Sequence, residues 1–151
     1  MVKWKEERVI PENIETVWRL FSDKNVKRLL PKVEEHTLLE NNDDEAGAKH
    51  GQSYYEGTQL QYYVVETVAY EDLPERKHRH IRFVMSQLFQ VDYRYTLLKI
   101  SETETRFIYE GSQKGLTLTG KAMLLSGNTA KRQETVRAFM DRVESEAGKL
   151  V

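Results

Sequence analysis

Two histidines in His78-Arg79-His80 are the residues of the chain best placed for metal chemistry. Side chains at positions i and i+2 share a face of a β-strand, and imidazole pairs bind zinc when a third ligand is near. His36 and His50 are distant in sequence, so no third ligand is evident. The surrounding run ERKHRH is strongly charged. A solvated strand start is therefore favoured, and we predict no metal.

A second motif resembles a phosphate-binding loop. Gly115–Lys121 matches the pattern G-x-x-x-x-G-K, but Ala122 stands where the motif needs the Ser or Thr that binds magnesium. The preceding segment EGSQK is polar, unlike the buried parallel strand that leads into such loops. We therefore expect a flexible lead into a helix, and no nucleotide or other cofactor.

Two carboxylates lie inside predicted strands. A buried Glu66 or Asp92 would have a raised pKa and could act as an acid or base. Asp92 has the strand phase of the outer face, and exposure is favoured for Glu66 because glutamate is rarely buried. The chain has no G-x-S-x-G or H-E-x-x-H motif. Whether the protein is an enzyme is therefore left open.

Composition excludes several classes of protein. The 151 residues suit one domain spanning 1–151, and a net charge of −1 lacks the basic excess of nucleic-acid binders. With 0 cysteines, disulfides, thiolate metal sites and cysteine nucleophiles are excluded. No segment has the length of apolar residues that a membrane span or a signal peptide needs. We expect a cytoplasmic protein with no nucleic-acid partner and no integral membrane association.

The order of elements follows from periodicity and proline. Val2–Ile10 reads as a strand, and Pro11 opens a short helix whose apolar face is Ile14, Val17, Trp18 and Phe21. A second short helix ends at Pro31. Strands are predicted near 32–40, 48–57, 59–70, 77–86, 88–100 and 103–112.

The last three strands alternate with one apolar face, which indicates a sheet covered on one side. Short connections favour antiparallel pairing. The inward faces of strands 48–57 and 59–70 stay open, because Tyr62-Tyr63-Val64-Val65 is apolar in both phases. The acidic stretch Glu40–Gly47 reads as a surface loop.

One long amphipathic helix is predicted from about Thr117 to Lys149. Ser126-Gly127-Asn128 is its weak point, where the helix could kink or restart. The apolar stripe that should face the sheet consists of Val136, Phe139, Met140 and Val143.

This order resembles the START-like (SRPBCC) superfamily, which includes polyketide cyclase/dehydrase-like and birch-allergen-like proteins. The likeness is carried by a first strand, a proline and the helix segment Pro11–Asp23 (PENIETVWRLFSD), followed by a second short helix and the Pro31-x-Val33 strand start. Gly47 also has a counterpart in the family. The resemblance implies an α+β helix-grip fold: a curved antiparallel sheet of about six or seven strands around a long C-terminal helix, with two short helices after strand 1.

The resemblance also implies a cavity between sheet and helix for a hydrophobic or amphipathic small molecule or lipid. All eight tyrosines fall between Tyr54 and Tyr109, and buried hydroxyls need partners, water or a ligand. The predicted ligand-binding residues are Phe83, Phe89, Tyr93, Tyr95, Phe107, Tyr109, Phe139 and Met140. Three alternatives stay open: a closed aromatic core, a polyketide cyclase/dehydratase-type enzyme, and a protein-interaction module of the Hsp90-activator type. The ligand's identity and the oligomeric state are not predicted.

Overall fold

The structure is a computed structural model that describes residues 1–40 and 46–151. Over these residues, seven strands form one open sheet in the order β1-β7-β6-β5-β4-β3-β2, and every neighbouring pair is antiparallel. The strands are β1 (Val2–Ile10), β2 (Val33–Glu40), β3 (Lys49–Glu56), β4 (Gln59–Asp72), β5 (Arg76–Met85), β6 (Phe89–Ser101) and β7 (Glu104–Gly115). The predicted α+β class and antiparallel sheet are confirmed.

Two short helices follow β1, as predicted. They are α1 (Ile14–Arg19) and α2 (Val26–Leu29), with a 3₁₀ turn at Asp23–Asn25 between them. The Asn13 side chain caps α1 by accepting a hydrogen bond from the Glu15 backbone N–H at 2.9 Å. Trp18 is only partly buried, against Phe21 and Tyr70.

The predicted long C-terminal helix is confirmed as α4 (Thr129–Lys149). It restarts at the predicted weak point, which separates it from a shorter helix, α3 (Leu118–Leu125). Asn128 has an extended backbone, and its side chain accepts from the Lys131 N–H at 3.1 Å, so it starts a new helix. The predicted inner stripe is confirmed on α4, where the buried residues include Val136, Phe139, Met140 and Val143.

The two strands whose faces were left open are now oriented. In β3, His50 and Gln52 turn towards the helices, and in β4 the inward residues are Tyr63 and Val65. Tyr62 points outwards and lies across β3, where a Cβ added at residue 51 would stand 2.4 Å from the Tyr62 hydroxyl. Gly51 therefore allows the ring to cover the strand, which periodicity alone does not reveal.

The core is divided. A large cluster of buried apolar side chains joins α1, β6, β7 and α4, and a small one at the other end of the sheet consists of Val65, Phe83 and Val91. Of the predicted acidic loop Glu40–Gly47, positions 41–45 lie outside the described residues. Among the residues described, no helix is both long and apolar enough to cross a membrane.

Candidate functional site

A cavity of about 850 Å³ lies between the concave face of the sheet and α4, in the range of small-molecule sites. The 3₁₀ turn and α2 border it on one side, and the first half of α4 borders it on another. The Arg142 guanidinium donates to the Leu29 carbonyl at 2.9 Å and so ties α4 to α2. The lining divides into two walls of different chemistry.

The aromatic wall comes from β5, β6, β7 and α4. Tyr95 and Tyr109 stack with ring centroids 5.6 Å apart, and Tyr109 lies 4.7 Å from Phe139. Phe83 and Tyr93 extend the same surface edge to face at 5.6 Å. Ring pairs in such tilted and stacked contacts add to the stability that burial of their area provides. The wall is therefore a packed aromatic surface that lines one side of the cavity.

The tyrosines of the aromatic wall are poor acids. Burial raises the pKa of Tyr93 to about 12. Burial also raises the pKa values of Tyr95 and Tyr109 well above the ordinary value. Their hydroxyls therefore keep their protons throughout the neutral range and serve as neutral hydrogen-bonding groups.

The polar wall is a row of side chains running across three neighbouring strands. His36 of β2 lies opposite Gln52 of β3, and Gln52 lies opposite Tyr63 of β4. His36 Nδ1 is 2.7 Å from Gln52 Oε1, and the Gln52 amide nitrogen donates to the Tyr63 hydroxyl at 2.6 Å. Directly paired residues on one face of a sheet are near enough for such contacts, so pairing register builds the row.

Asp23 joins two histidines at one end of this row. Its carboxylate lies 3.0 Å from His36 Nε2 and 2.9 Å from His50 Nε2. The two imidazole rings stack with centroids 4.5 Å apart and planes inclined by 17°. Hydrogen bonds from His36 and His50 hold the pKa of Asp23 well below its usual range. The carboxylate is therefore an anion at the border of the cavity.

Comparison with known proteins identifies the fold of the chain. No protein-family model matches the chain, and no curated protein matches its sequence. Solved structures match over nearly the whole chain. A START superfamily protein from Mycobacterium smegmatis is 12% identical, covers 99% of both chains and has a TM-score of 0.75. The Zhui aromatase/cyclase from Streptomyces sp. R1128 is 11% identical and covers 98% of this chain and 94% of that one, with a TM-score of 0.73.

A plant protein has the same architecture. Ginseng major latex-like protein 151 from Panax ginseng is 11% identical, covers 97% of each chain and has a TM-score of 0.67. The chain has the helix-grip fold that these structures share. Because identities this low establish a fold and not an activity, the chemistry of the helix-grip cavity is argued from its own residues.

The helix-grip cavity brings together five of the eight residues predicted to bind a ligand: Phe83, Tyr93, Tyr95, Tyr109 and Phe139. Phe107 and Met140 do not line it, because they are packed inside the large core cluster at 0% and 2% exposure. Phe89 packs beside the small cluster of Val65, Phe83 and Val91. Phe89 and Phe107 have the strand phase of the lining residues and differ from them in position along the strand. Met140 directly follows Phe139 on α4 and so lies on a different side of the helix.

The polar wall was not predicted, although its members are visible in the sequence. Asp23, His36 and His50 lie on a 3₁₀ turn and two strands, separated by loops, and only the β2–β3 register brings them together. The signal that could have found them is the hairpin pairing of His36 with Gln52, which needs the register to be known in advance.

Asp23, His36 and His50 form the one histidine–carboxylate group in the described part of the chain that is compact enough to hold a metal ion. Their ligand atoms lie within 4.8 Å of one another. A metal ion sits close to the plane of each imidazole that binds it, because the nitrogen lone pair lies in the ring plane. Nearly parallel stacked rings do not direct their lone pairs to one point, so one ring would have to rotate before both could bind.

The histidines His78 and His80 and the carboxylate of Asp92 make contacts with neighbouring strands. His80 contacts the Asp92 carboxylate at 2.7 Å, and His78 contacts the Thr96 hydroxyl at 2.8 Å. Asp92 has the outer-face phase that was predicted, yet it is buried between His80 and Arg82. Burial acts to raise the pKa of Asp92, but hydrogen bonds from those two residues lower it overall. This ion pair is on the sheet face opposite the cavity.

Glu66 and the Gly115–Lys121 segment also have structural explanations. Glu66 is exposed on the outer face of β4. In the former phosphate-loop motif, the Thr117 hydroxyl accepts from the Gly120 N–H at 3.0 Å and caps α3. Gly115–Lys121 is thus the end of a strand followed by a helix start.

Proposed function

We propose that the protein binds an apolar or amphipathic small molecule in the cavity between the sheet and α4. The observation that carries the proposal is the cavity of about 850 Å³, whose aromatic and polar walls face one space. Sites for small molecules combine a largely apolar surface with a few well-placed polar groups. Burial of apolar ligand surface would supply most of the affinity, and the polar wall would fix orientation.

The first experiment looks for a ligand already bound. Native mass spectrometry of the freshly purified protein is expected to show a small molecule that is lost on denaturation. The same protein, stripped of ligand, should bind members of a panel of fatty acids, flavonoids, sterols and aromatic polyketides, detected by displacement of a fluorescent apolar dye. No adduct and no displacement by any member would contradict the proposal.

A matched pair of variants places the binding in the cavity. Val136 lines it, whereas Val84 is 44% exposed on the outer face of β5. Val136→Phe fills part of the space and should weaken dye binding at least about tenfold, the cost of forcing extra volume into a site. Val84→Phe adds the same atoms outside and should leave dye binding unchanged. Equal effects would place the dye elsewhere.

A second candidate, an enzyme of the cyclase/dehydratase type, is favoured by one observation. Asp23 holds two imidazoles at the cavity wall, and a histidine positioned by a carboxylate is a common general base. The aromatase/cyclase from Streptomyces sp. R1128 has this fold, but the activity in its name is stated for that protein alone. The test is whether the wild type converts a bound aromatic β-hydroxy ketone to the enone with loss of water. Retention of that turnover in His50→Gln would exclude the His50 imidazole as the base.

An interaction module would be favoured by a filled core under an exposed apolar patch. The core here is not filled, because it contains a cavity of about 850 Å³. The binding proposal therefore takes precedence over the interaction module.

A further inference from the structure

The hydrogen bonds of the polar wall have a direction, and that direction fixes what the cavity offers a ligand. The row runs from Asp23 through His36 and Gln52 to Tyr63, with contacts of 3.0, 2.7 and 2.6 Å. Asp23, an anion, accepts hydrogen bonds and has none to donate. His36 Nε2 must therefore carry the proton of the first contact.

The second contact fixes the orientation of the Gln52 side-chain amide. His36 Nδ1 faces Gln52 Oε1 at 2.7 Å, and a carbonyl oxygen accepts only. The Gln52 amide group, held by its oxygen, then directs its N–H₂ towards Tyr63.

Tyr63 stands at the end of the row and lines the cavity. Its oxygen accepts from Gln52, so its own O–H must be donated elsewhere. In the described part of the chain, Gln52 is its only hydrogen-bond partner, and its other contacts are the rings of Tyr54 and Phe83 at 5.1 and 4.6 Å. Burial raises the pKa of Tyr63, so the hydroxyl keeps its proton.

We propose that the ligand presents a neutral hydrogen-bond acceptor, a carbonyl oxygen, to the Tyr63 hydroxyl. The inference rests on the proposed binding function and names the chemical class of the ligand: an apolar, ring-containing ketone or related carbonyl compound. Tyr63 is the binding residue. Gln52 and His36 are positioning residues that act through it, because they determine which way its proton points.

The alternative use of the same cluster is a cation site. The stacked arrangement of His36 and His50 opposes it, since rings inclined by 17° do not converge on one ion. The contact between Asp23 and His36 is instead a hydrogen bond that the Asp23 carboxylate accepts from the ring. Nitrogen NMR of the His36 ring during zinc addition separates a cation site from this hydrogen bond.

Two isosteric probes test the proposal. 2-Acetylnaphthalene and 2-isopropenylnaphthalene differ in one group, C=O against C=CH₂, so their affinity ratio isolates the acceptor. In Tyr63→Phe the preference for the ketone should fall about fivefold relative to the wild type, the effect of losing one neutral hydrogen bond. A general loss of stability would weaken both probes alike and leave this ratio unchanged.

Gln52→Glu tests the direction of the row. The carboxylate has the size of the amide but accepts on both oxygens, so it accepts a hydrogen bond from the Tyr63 O–H and leaves the hydroxyl's lone pairs facing the cavity. The ketone preference should fall as far as in Tyr63→Phe. Tyr55→Phe is the matched control: it removes an exposed hydroxyl outside the cavity, and the ratio should stay at the wild-type value. A ratio unchanged in Tyr63→Phe, or lost equally in Tyr55→Phe, would overturn the inference.

Failure of the inference is distinguishable from failure of the proposed function. If both naphthalenes bind with the same ratio in every variant, the cavity binds ligands but Tyr63 does not select them. If neither probe nor any panel member binds the wild type, the binding function fails and the inference fails with it. Nitrogen NMR of the His36 and His50 rings during addition of Zn²⁺ should show no joint displacement of their signals. Ring signals of His36 and His50 displaced together by stoichiometric Zn²⁺ would overturn the hydrogen-bond direction.

Discussion

The two walls of the cavity are built on different physical principles. The aromatic wall belongs to the core: Tyr95, Tyr109 and Phe139 are at most 8% exposed, and their rings contact one another and Phe107. The polar wall is held by hydrogen bonds between side chains that lie across neighbouring strands. We expect the first wall to contribute mainly to the free energy of folding, and the second mainly to the proposed choice of ligand. The comparison predicts that substitutions will separate stability from recognition.

The largest effect is expected where the aromatic wall merges with the core. Phe107 is fully buried between Phe21, Tyr109 and Phe139. Phe107→Ala should lower the free energy of unfolding by about 3–5 kcal/mol, because it removes a large ring and leaves a cavity. Chemical denaturation measures this. A loss below about 1 kcal/mol would show that the wall is not part of the packed core.

Consecutive residues on α4 divide packing from lining. Met140 is 2% exposed inside the core cluster, whereas Phe139 faces both the core and the cavity. Met140→Ala should cost about 2–5 kcal/mol of stability and leave the affinity for 2-acetylnaphthalene within about twofold. Phe139→Ala should weaken that probe about fivefold to tenfold, the contribution of one aromatic contact.

The opposite pattern, in which Met140→Ala weakens the probe and Phe139→Ala does not, would move the lining to the other side of α4. Calorimetric titration of the two variants under conditions where both are folded decides between the patterns.

A smaller, pH-dependent effect is expected on the polar wall. The pKa of Asp23 is lowered in the folded state by His36 and His50, so its carboxylate stabilises the fold above its unfolded value of 3.8. Asp23→Asn should cost about 1–2 kcal/mol at pH 7, a hydrogen-bonded charge discounted for partial exposure. The difference between wild type and variant should shrink as pH falls below about 4 and through the folded pKa.

Asp141 offers the matched control. It is an exposed carboxylate that pairs with Arg8 at 2.6 Å, and surface pairs of this kind contribute about 0–1 kcal/mol. Asp141→Asn should therefore show the smaller loss. An equal or larger loss than in Asp23→Asn, measured by urea unfolding over a pH series, would contradict the role assigned to the polar wall.

The smallest effect on stability is expected for Tyr63→Phe. The ring and its stacking on Phe83 remain, and only the partner of one Gln52 N–H is lost. We expect a cost of about 0.5–1 kcal/mol. Combined with the loss of ketone preference, this would show recognition without a large stability change. A cost above about 3 kcal/mol would place Tyr63 in the core instead.

The fold could be predicted from the sequence because the sequence signals that determine it are local. The period-two alternation of β5, β6 and β7 and the prolines around α1 and α2 are each visible within about ten residues. The break between α3 and α4 was visible as a weak point at Ser126–Asn128, but the capping role of Asn128 decided it.

Only part of the candidate site could be predicted from the sequence. Alternation shows which face a residue occupies and not its depth along a strand, so Phe107 and Tyr109 looked equivalent. The polar wall depends on strand register across β2, β3 and β4, which sequence does not display. In β4 both phases are apolar, and the outward turn of Tyr62 depends on Gly51 in the neighbouring strand.

Amide chemical-shift mapping with 2-acetylnaphthalene tests whether one ligand contacts both walls at once. We expect saturable shifts at Gln52 and Tyr63 on the polar wall and at Tyr109 and Phe139 on the aromatic wall, with one dissociation constant for all four. Shifts confined to exposed apolar residues such as Leu118 and Leu125 of α3, with both walls unmoved, would contradict it.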